Sequence, residues 1–130
     1  MQIERTKRVL LVEDEATIRQ AIRDTLAGED FSITEATNGA EGLTLALLKH
    51  PDLIILDVLM PKMHGIEMYS ALRSDQWGKT VHVMFLTSYT EDPRLKQFAN
   101  DPYCTVVNKT KARLEDITGY IKKIFASSKS

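Results

Sequence analysis

Short apolar runs alternate along the chain with longer stretches in which apolar residues recur every three or four positions. Residues 9–12, 53–56, 81–86 and, more weakly, 105–107 form short apolar runs, which are typical of strands buried on both faces. Residues 31–36 alternate between apolar and polar side chains, which indicates an outer, half-exposed strand. The pattern therefore predicts five strands.

Amphipathic segments fill the gaps between these strands and follow the last one. Gly28 is a stop signal for the first predicted helix, Asn38 is a cap for the second, and Asp92 with Pro93 opens a short fourth. An order of strand and helix repeated about five times predicts an α/β fold, with a parallel sheet covered by helices on both faces. The residues predicted to share a helix face are Ile18, Ala21, Ile22, Thr25 and Leu26; Ala40, Leu43, Leu47 and Leu48; Ile66, Tyr69 and Leu72; Leu95, Phe98 and Ala99; and Leu114, Ile117, Ile121 and Ile124.

Length and composition indicate one globular domain. The chain has 130 residues, 43% of them hydrophobic and 27% charged, so we expect a single domain over 1–130 with its core at about 7–125 and a tail or linker at 126–130. A net charge of -1 gives no bulk attraction to nucleic acid or to an anionic membrane. The single cysteine, Cys104, cannot form an internal disulfide, and no apolar stretch approaches the roughly 20 residues of a membrane span. We therefore expect a cytoplasmic protein.

Polar side chains follow four of the predicted strands at the points where they end. Glu13 and Asp14 follow the first strand, Asp57 the third, Thr87 the fourth and Lys109 the fifth. Because the carboxyl ends of parallel strands meet at one edge of a sheet, we expect three carboxylates, a hydroxyl and an ammonium group to converge there. Lys111 is a rival for the ammonium role, but it lies further beyond the strand end.

This combination of groups suits phosphoryl chemistry. Three neighbouring carboxylates repel one another unless a cation neutralises them, and a set of oxygen ligands favours Mg²⁺ or Mn²⁺ over zinc. A carboxylate beside such an ion can attack phosphorus and form an aspartyl phosphate. Lys109 and Thr87 fit the role of donors to the phosphoryl oxygens.

These motifs together resemble the response-regulator receiver family over nearly the whole chain. The acidic pair Glu13 and Asp14 is similar to the family's metal-binding pair, and residues 57–65 (DVLMPKMHG) are similar to its phosphoacceptor motif. Thr87 resembles the residue of its hydroxyl-bearing turn, and Lys109 its lysine. The resemblance implies a flavodoxin-like (βα)₅ fold, a doubly wound parallel sheet of five strands in the order 2-1-3-4-5.

The resemblance also implies a role for each residue and a set of partners. Asp57 would accept a phosphoryl group from the phosphohistidine of a histidine kinase or phosphotransfer protein, or from a small donor such as acetyl phosphate. Thr87 and Lys109 would bind the phosphoryl oxygens, and their movement would repack a surface that an output domain or partner protein reads. The groups that would hold Mg²⁺ are Glu13, Asp14, Asp57 and the backbone carbonyl of Leu59.

The sequence departs from the family pattern in four places. Residues 100–104 differ from the family's usual Gly-Ala turn, so we expect the fourth helix to be short or shifted. Thr110 replaces the usual proline after the lysine, so we predict a trans peptide bond and a rearranged loop, since a cis bond to a non-proline residue costs about 2.5–4 kcal/mol. Val106 stands where the family usually has an aromatic switch residue. Leu59 and Tyr89 flank the expected path of the attacking water without an acid or an amide, so we expect slow self-dephosphorylation. A phosphoryl lifetime of only seconds would contradict that expectation.

Three functional interpretations follow. The first is a phosphorylation-controlled signalling domain that is not an enzyme acting on a separate substrate. The second is a pseudo-receiver, a protein-binding module that is never phosphorylated. The third, a phosphatase of the dehalogenase type, is disfavoured because Leu59 stands where that chemistry places a second acid. No DNA-recognition helix is evident, so we expect no direct contact with nucleic acid and none with a membrane. The sequence leaves open a homodimer formed through the last helices.

Overall fold

A computed structural model describes residues 6–58, 63–88, 91–96, 98–109 and 113–127 of the chain. Several residues that carry sequence-based predictions lie outside this part of the chain. They include Leu59, Tyr89 and Thr110, so the metal-binding carbonyl, the water path and the trans peptide bond remain predictions. Lys111 also lies outside it.

A parallel five-stranded sheet forms the centre of the fold, in the order β2-β1-β3-β4-β5. This confirms the predicted architecture and its strand order. The half-exposed strand β2 lies at one edge, as its alternating pattern predicted. Strand β4 begins and ends one residue later than predicted, and β5 is one residue longer at each end. The strands are β1 (Lys7–Val12), β2 (Phe31–Ala36), β3 (Leu53–Leu56), β4 (His82–Thr87) and β5 (Cys104–Asn108).

Helices cover both faces of this sheet and enclose two apolar layers. One layer packs the sheet against α1 and α5, and the other packs it against α2, α3 and α4. The predicted cap of α2 is confirmed, because the Asn38 side chain accepts a hydrogen bond from the Glu41 N–H at 2.9 Å. Among the described residues, no helix is long and apolar enough to span a membrane. The helices are α1 (Ala16–Ala27), α2 (Gly39–Lys49), α3 (Gly65–Ser74), α4 (Pro93–Lys96) and α5 (Leu114–Ser127), and a 3₁₀ turn lies at Trp77–Lys79.

The buried face of α2 differs from the predicted one. Ala40, Leu47 and Leu48 are exposed, and Leu48 retains 75% of its accessible surface. The buried residues of this helix are instead small, namely Gly39, Gly42 and Ala46, while Leu43 of the predicted face is partly buried against the apolar layer. A Cβ on Gly42 would lie 2.9 Å from the Val12 side chain, so the helix approaches the sheet too closely for larger residues there.

The fourth helix is short, as the departure at residues 100–104 indicated, but it does not carry all of the residues that its apolar pattern predicted. It spans Pro93–Lys96, and Phe98 and Ala99 lie in turns rather than on a helix face. The Phe98 N–H donates to the Leu95 carbonyl and the Ala99 N–H to the Lys96 carbonyl, both with the i to i−3 spacing of tight turns. Leu95 is nevertheless buried, and Phe98 packs against the same apolar layer.

Candidate functional site

The carboxyl edge of the sheet brings Glu13, Asp57 and Lys109 into direct contact, as their positions after the strands predicted. The Lys109 Nζ lies 2.7 Å from Asp57 Oδ2 and 3.1 Å from Glu13 Oε1. Glu13 follows β1, Asp57 follows β3 and Lys109 follows β5. In the sheet β1 and β3 are neighbours, and β4 lies between β3 and β5. One ammonium group therefore bridges two buried carboxylates that are far apart in sequence.

Glu13 is held by partners on all of its polar groups. Its N–H donates to the Ala36 carbonyl of the edge strand at 3.0 Å, and its own carbonyl accepts from Arg19 Nη1 at 2.8 Å. Its carboxylate accepts from the Glu15 N–H through Oε2 and from Lys109 through Oε1. Burial raises the pKa of the Glu13 carboxyl above its ordinary value, although the Glu15 N–H and Lys109 act in the opposite direction.

Asp57 is also buried and oriented. Its Oδ1 accepts a hydrogen bond from the Val58 N–H at 2.7 Å, so Oδ2 is the oxygen that meets Lys109. Burial acts to lower the pKa of Lys109, but the hydrogen bond to Asp57 and the charges of Asp57 and Glu13 outweigh it, so this pKa lies above its ordinary value. The lysine is therefore a fixed cation beside the carboxylate.

Asp14 completes a set of oxygen ligands. Its carboxylate is exposed, and one oxygen each from Glu13, Asp14 and Asp57 lie within 4.8 Å of one another. Three hard oxygen donors, one of them open to solvent, fit Mg²⁺, which binds through a few carboxylates and keeps several water ligands. Zinc sites by contrast usually include nitrogen or sulfur ligands, and this cluster offers neither.

Thr87 lies at the same edge, as the last residue of β4, and is fully buried. Its carbonyl accepts the Lys109 N–H at 3.0 Å, which ties the end of β4 to the residue after β5. The backbone thus places Thr87 beside the lysine, in agreement with its predicted position at the strand end.

Gly65 packs directly against the backbone of Asp57, where the chain comes back to begin α3. Its N–H donates to the Val58 carbonyl at 2.9 Å, and it is the first residue of α3. A Cβ at this position would overlap the carbonyl oxygen of Asp57 and would lie 2.5 Å from Leu56 Cδ1. The glycine therefore permits α3 to start directly against Asp57 and the end of β3.

Replacing Gly65 with alanine is expected to lower the free energy of unfolding by about 2 kcal/mol, because the added methyl group must displace backbone in a packed region. Chemical denaturation measures this change. Gly119→Ala is the matched control, since nothing lies within 4 Å of its Cβ position and alanine favours a helix by up to about 1 kcal/mol. Equal stabilities for Gly65→Ala and the unchanged protein would contradict the close packing at this position.

The sequence did not predict the contacts that Arg19 makes with Glu13 and Glu35. Arg19 lies in the first turn of α1 and reaches both Glu13 and Glu35, its Nε donating to Glu35 Oε1 at 3.1 Å. Its signal in the sequence is weak, because a polar residue near the start of a helix is ordinary on a solvated face. Only the folded position of β2 reveals that the Glu35 carboxylate also holds this guanidinium.

Known proteins share this architecture over most of the chain. The polar-differentiation response regulator DivK of Brucella ovis is 27% identical over 119 residues, which are 89% of this chain and 97% of that protein. The chemotaxis response regulator CheY4 of Vibrio cholerae has a structure with a TM-score of 0.79 and 29% identity, covering 92% of this chain and 99% of that one.

A third similar protein is the response regulator TrrA of Thermotoga maritima, whose structure was solved in complex with Mg(2+)-BeF. It has a TM-score of 0.72 and 29% identity, covering 91% of this chain and 98% of that one. The family described as the response regulator receiver domain matches residues 9–126. This match covers most of the chain and agrees with the order of the sheet and with the acidic residues at its carboxyl edge. The chain therefore belongs to the response regulator receiver domain family.

Proposed function

We propose that this chain is a phosphoacceptor domain of two-component signalling, in which Asp57 takes a phosphoryl group from a histidine kinase or a phosphotransfer protein in a Mg²⁺-dependent step. The observation that carries this proposal is the contact of Lys109 with a buried, oriented Asp57 at the carboxyl edge of the sheet. The whole chain 1–130 would act as one such domain, in the cytoplasm, as a signalling switch without a separate substrate.

The metal is assigned to Glu13, Asp14 and Asp57, with the Leu59 carbonyl as a further predicted ligand. The support is the chemistry of the donor set, three carboxylates with oxygens within 4.8 Å of one another. The Mg(2+)-BeF complex of the similar protein TrrA adds support by likeness. When bound, Mg²⁺ would supply charge neutralisation for the acids and for the phosphoryl oxygens.

The protein groups have separate tasks in the transfer. An oxygen of Asp57 attacks phosphorus, an acyl phosphate bond forms, and the bond from phosphorus to the donor's histidine nitrogen breaks. Val58 holds Oδ1 through its N–H, which fixes the plane of the attacking carboxylate. Lys109, already beside Oδ2, would neutralise charge on the transferred group, and the Thr87 hydroxyl would donate to one of its oxygens.

Incubation with acetyl phosphate and Mg²⁺, followed by intact mass measurement, tests this function. We expect a gain of one phosphoryl group that requires Mg²⁺ and disappears when the metal is chelated. Borohydride reduction followed by peptide mapping should place the modified residue at Asp57. No gain in a folded protein that also fails to bind Mg²⁺ and beryllofluoride would exclude the proposal.

A pseudo-receiver is the second candidate, favoured by Thr110 after Lys109 and by Val106 in place of an aromatic residue. Val106 lies in β5 and is 39% exposed. A partly exposed aliphatic side chain thus occupies the position where the family usually has its aromatic switch residue. Such a module would bind an output domain or partner protein without phosphorylation. The negative result of the mass measurement would select it.

A further inference from the structure

Arg19 joins the acidic pair to the edge strand of the sheet. Its Nη1 donates to the Glu13 carbonyl at 2.8 Å while its Nε donates to Glu35 Oε1 at 3.1 Å, and its side chain is only 19% exposed. Glu35 lies in β2 opposite Leu11 of β1, so it is held by the sheet register. The guanidinium therefore bridges two fixed points.

The carbonyl that Arg19 binds belongs to the peptide unit between Glu13 and Asp14. A peptide unit is planar, so fixing its carbonyl direction sets the orientation of the backbone on both sides of it. The side chains of Glu13 and Asp14 leave the backbone from these two positions. Their directions toward Asp57 consequently depend on the plane of this one peptide.

We propose that Arg19 is a positioning residue for the divalent cation: it holds the Glu13–Asp14 peptide so that both carboxylates face Asp57. This inference rests on the proposed function, because it concerns the same metal site. In the described part of the chain, Arg19 has no contact with the carboxylates of Glu13, Asp14 or Asp57. It therefore acts on them through the backbone, by its hydrogen bond to the Glu13 carbonyl.

The alternative is that Arg19 acts only by its charge, and the two effects have opposite signs. A cation near a Mg²⁺ site repels the metal, so its removal would tighten metal binding if charge alone mattered. Glu35 partly neutralises that charge. Loss of the hydrogen bond would instead release the peptide and weaken metal binding.

Calorimetric titration with Mg²⁺ decides between them. We expect Arg19→Gln to weaken Mg²⁺ binding about tenfold, the lower end of the range for loss of groups that orient metal ligands. Arg23→Gln is the matched control: Arg23 also pairs with Glu35, at 3.4 Å, but it is 54% exposed and has no contact with Glu13 in the described structure. It should leave Mg²⁺ binding unchanged.

A conservative variant guards against simple misfolding. Arg19→Lys retains one donor for the Glu13 carbonyl and should recover part of the loss, while the melting temperature without metal reports folding separately. Binding in both Arg19 variants that equals or exceeds that of the unchanged protein would overturn the inference and leave the proposed function standing. An unchanged protein that binds no Mg²⁺ would remove both.

Discussion

Replacing Asp57 with asparagine is expected to abolish phosphorylation by acetyl phosphate completely. Asparagine keeps the size of the side chain, and its amide oxygen can still accept the Val58 N–H, so the fold should survive. Its NH₂ group, however, would face the Lys109 ammonium in place of Oδ2, and an amide is not a nucleophile toward phosphorus. Intact mass after incubation with Mg²⁺ and acetyl phosphate measures the effect.

Asp52→Asn is the matched control for this experiment. Asp52 precedes β3, the strand that Asp57 follows, and accepts the Arg8 N–H at 2.8 Å at the opposite edge of the sheet. This variant should be phosphorylated like the unchanged protein. A phosphoryl gain in Asp57→Asn would place the acceptor on another residue.

Replacing Lys109 with methionine is expected to slow phosphorylation by about 100-fold or more, since the loss of one preorganised donor to developing charge typically costs that much. Methionine has a similar length and removes the cation that lies 2.7 Å from Asp57. Binding of Mg²⁺ should stay the same or become tighter, because the ammonium no longer competes for the carboxylates. Time courses of intact mass and a Mg²⁺ titration measure the two effects separately.

Lys122→Met serves as the control for a lost lysine. Lys122 pairs with Glu29 on the surface and is 60% exposed, so its loss should change neither quantity. A rate for Lys109→Met equal to that of the unchanged protein would exclude a role of the lysine in the transfer. Loss of Mg²⁺ binding together with the rate would assign Lys109 to the assembly of the site instead.

The main features of the fold and site could be predicted from the sequence because buried parallel strands appear in it as short, wholly apolar runs. A run such as residues 53–56 is wholly apolar and too short for a buried helix, and the polar residue after each run must lie at the shared edge. Glu13, Asp57 and Lys109 meet there as expected. The lysine reaches Asp57 although the residue after it is threonine rather than proline.

The face of α2 could not be predicted in the same way, because apolarity does not reveal how closely a helix approaches a sheet. Leu47 and Leu48 are more apolar than Gly39 and Gly42, yet the glycines are the buried residues, Gly42 against Val12 of the sheet and Gly39 against Met63. The departure at residues 100–104 indicated a short α4, but the turns at Phe98 and Ala99 rest on hydrogen bonds to Leu95 and Lys96 that no periodic pattern contains. The Arg19 bridge needs the position of β2, which no local pattern contains.

The bridging lysine has a consequence for the state without metal. Two buried carboxylates would oppose folding if they were left without a counter-charge, and Lys109 supplies one from within the chain. The chain thus carries its own counter-charge for these two acids, in contrast to small domains whose ligands are neutralised only by their metal. Bound Mg²⁺ would therefore add to the stability of a core whose acids already have a counter-charge, by an amount that rises with the concentration of the ion.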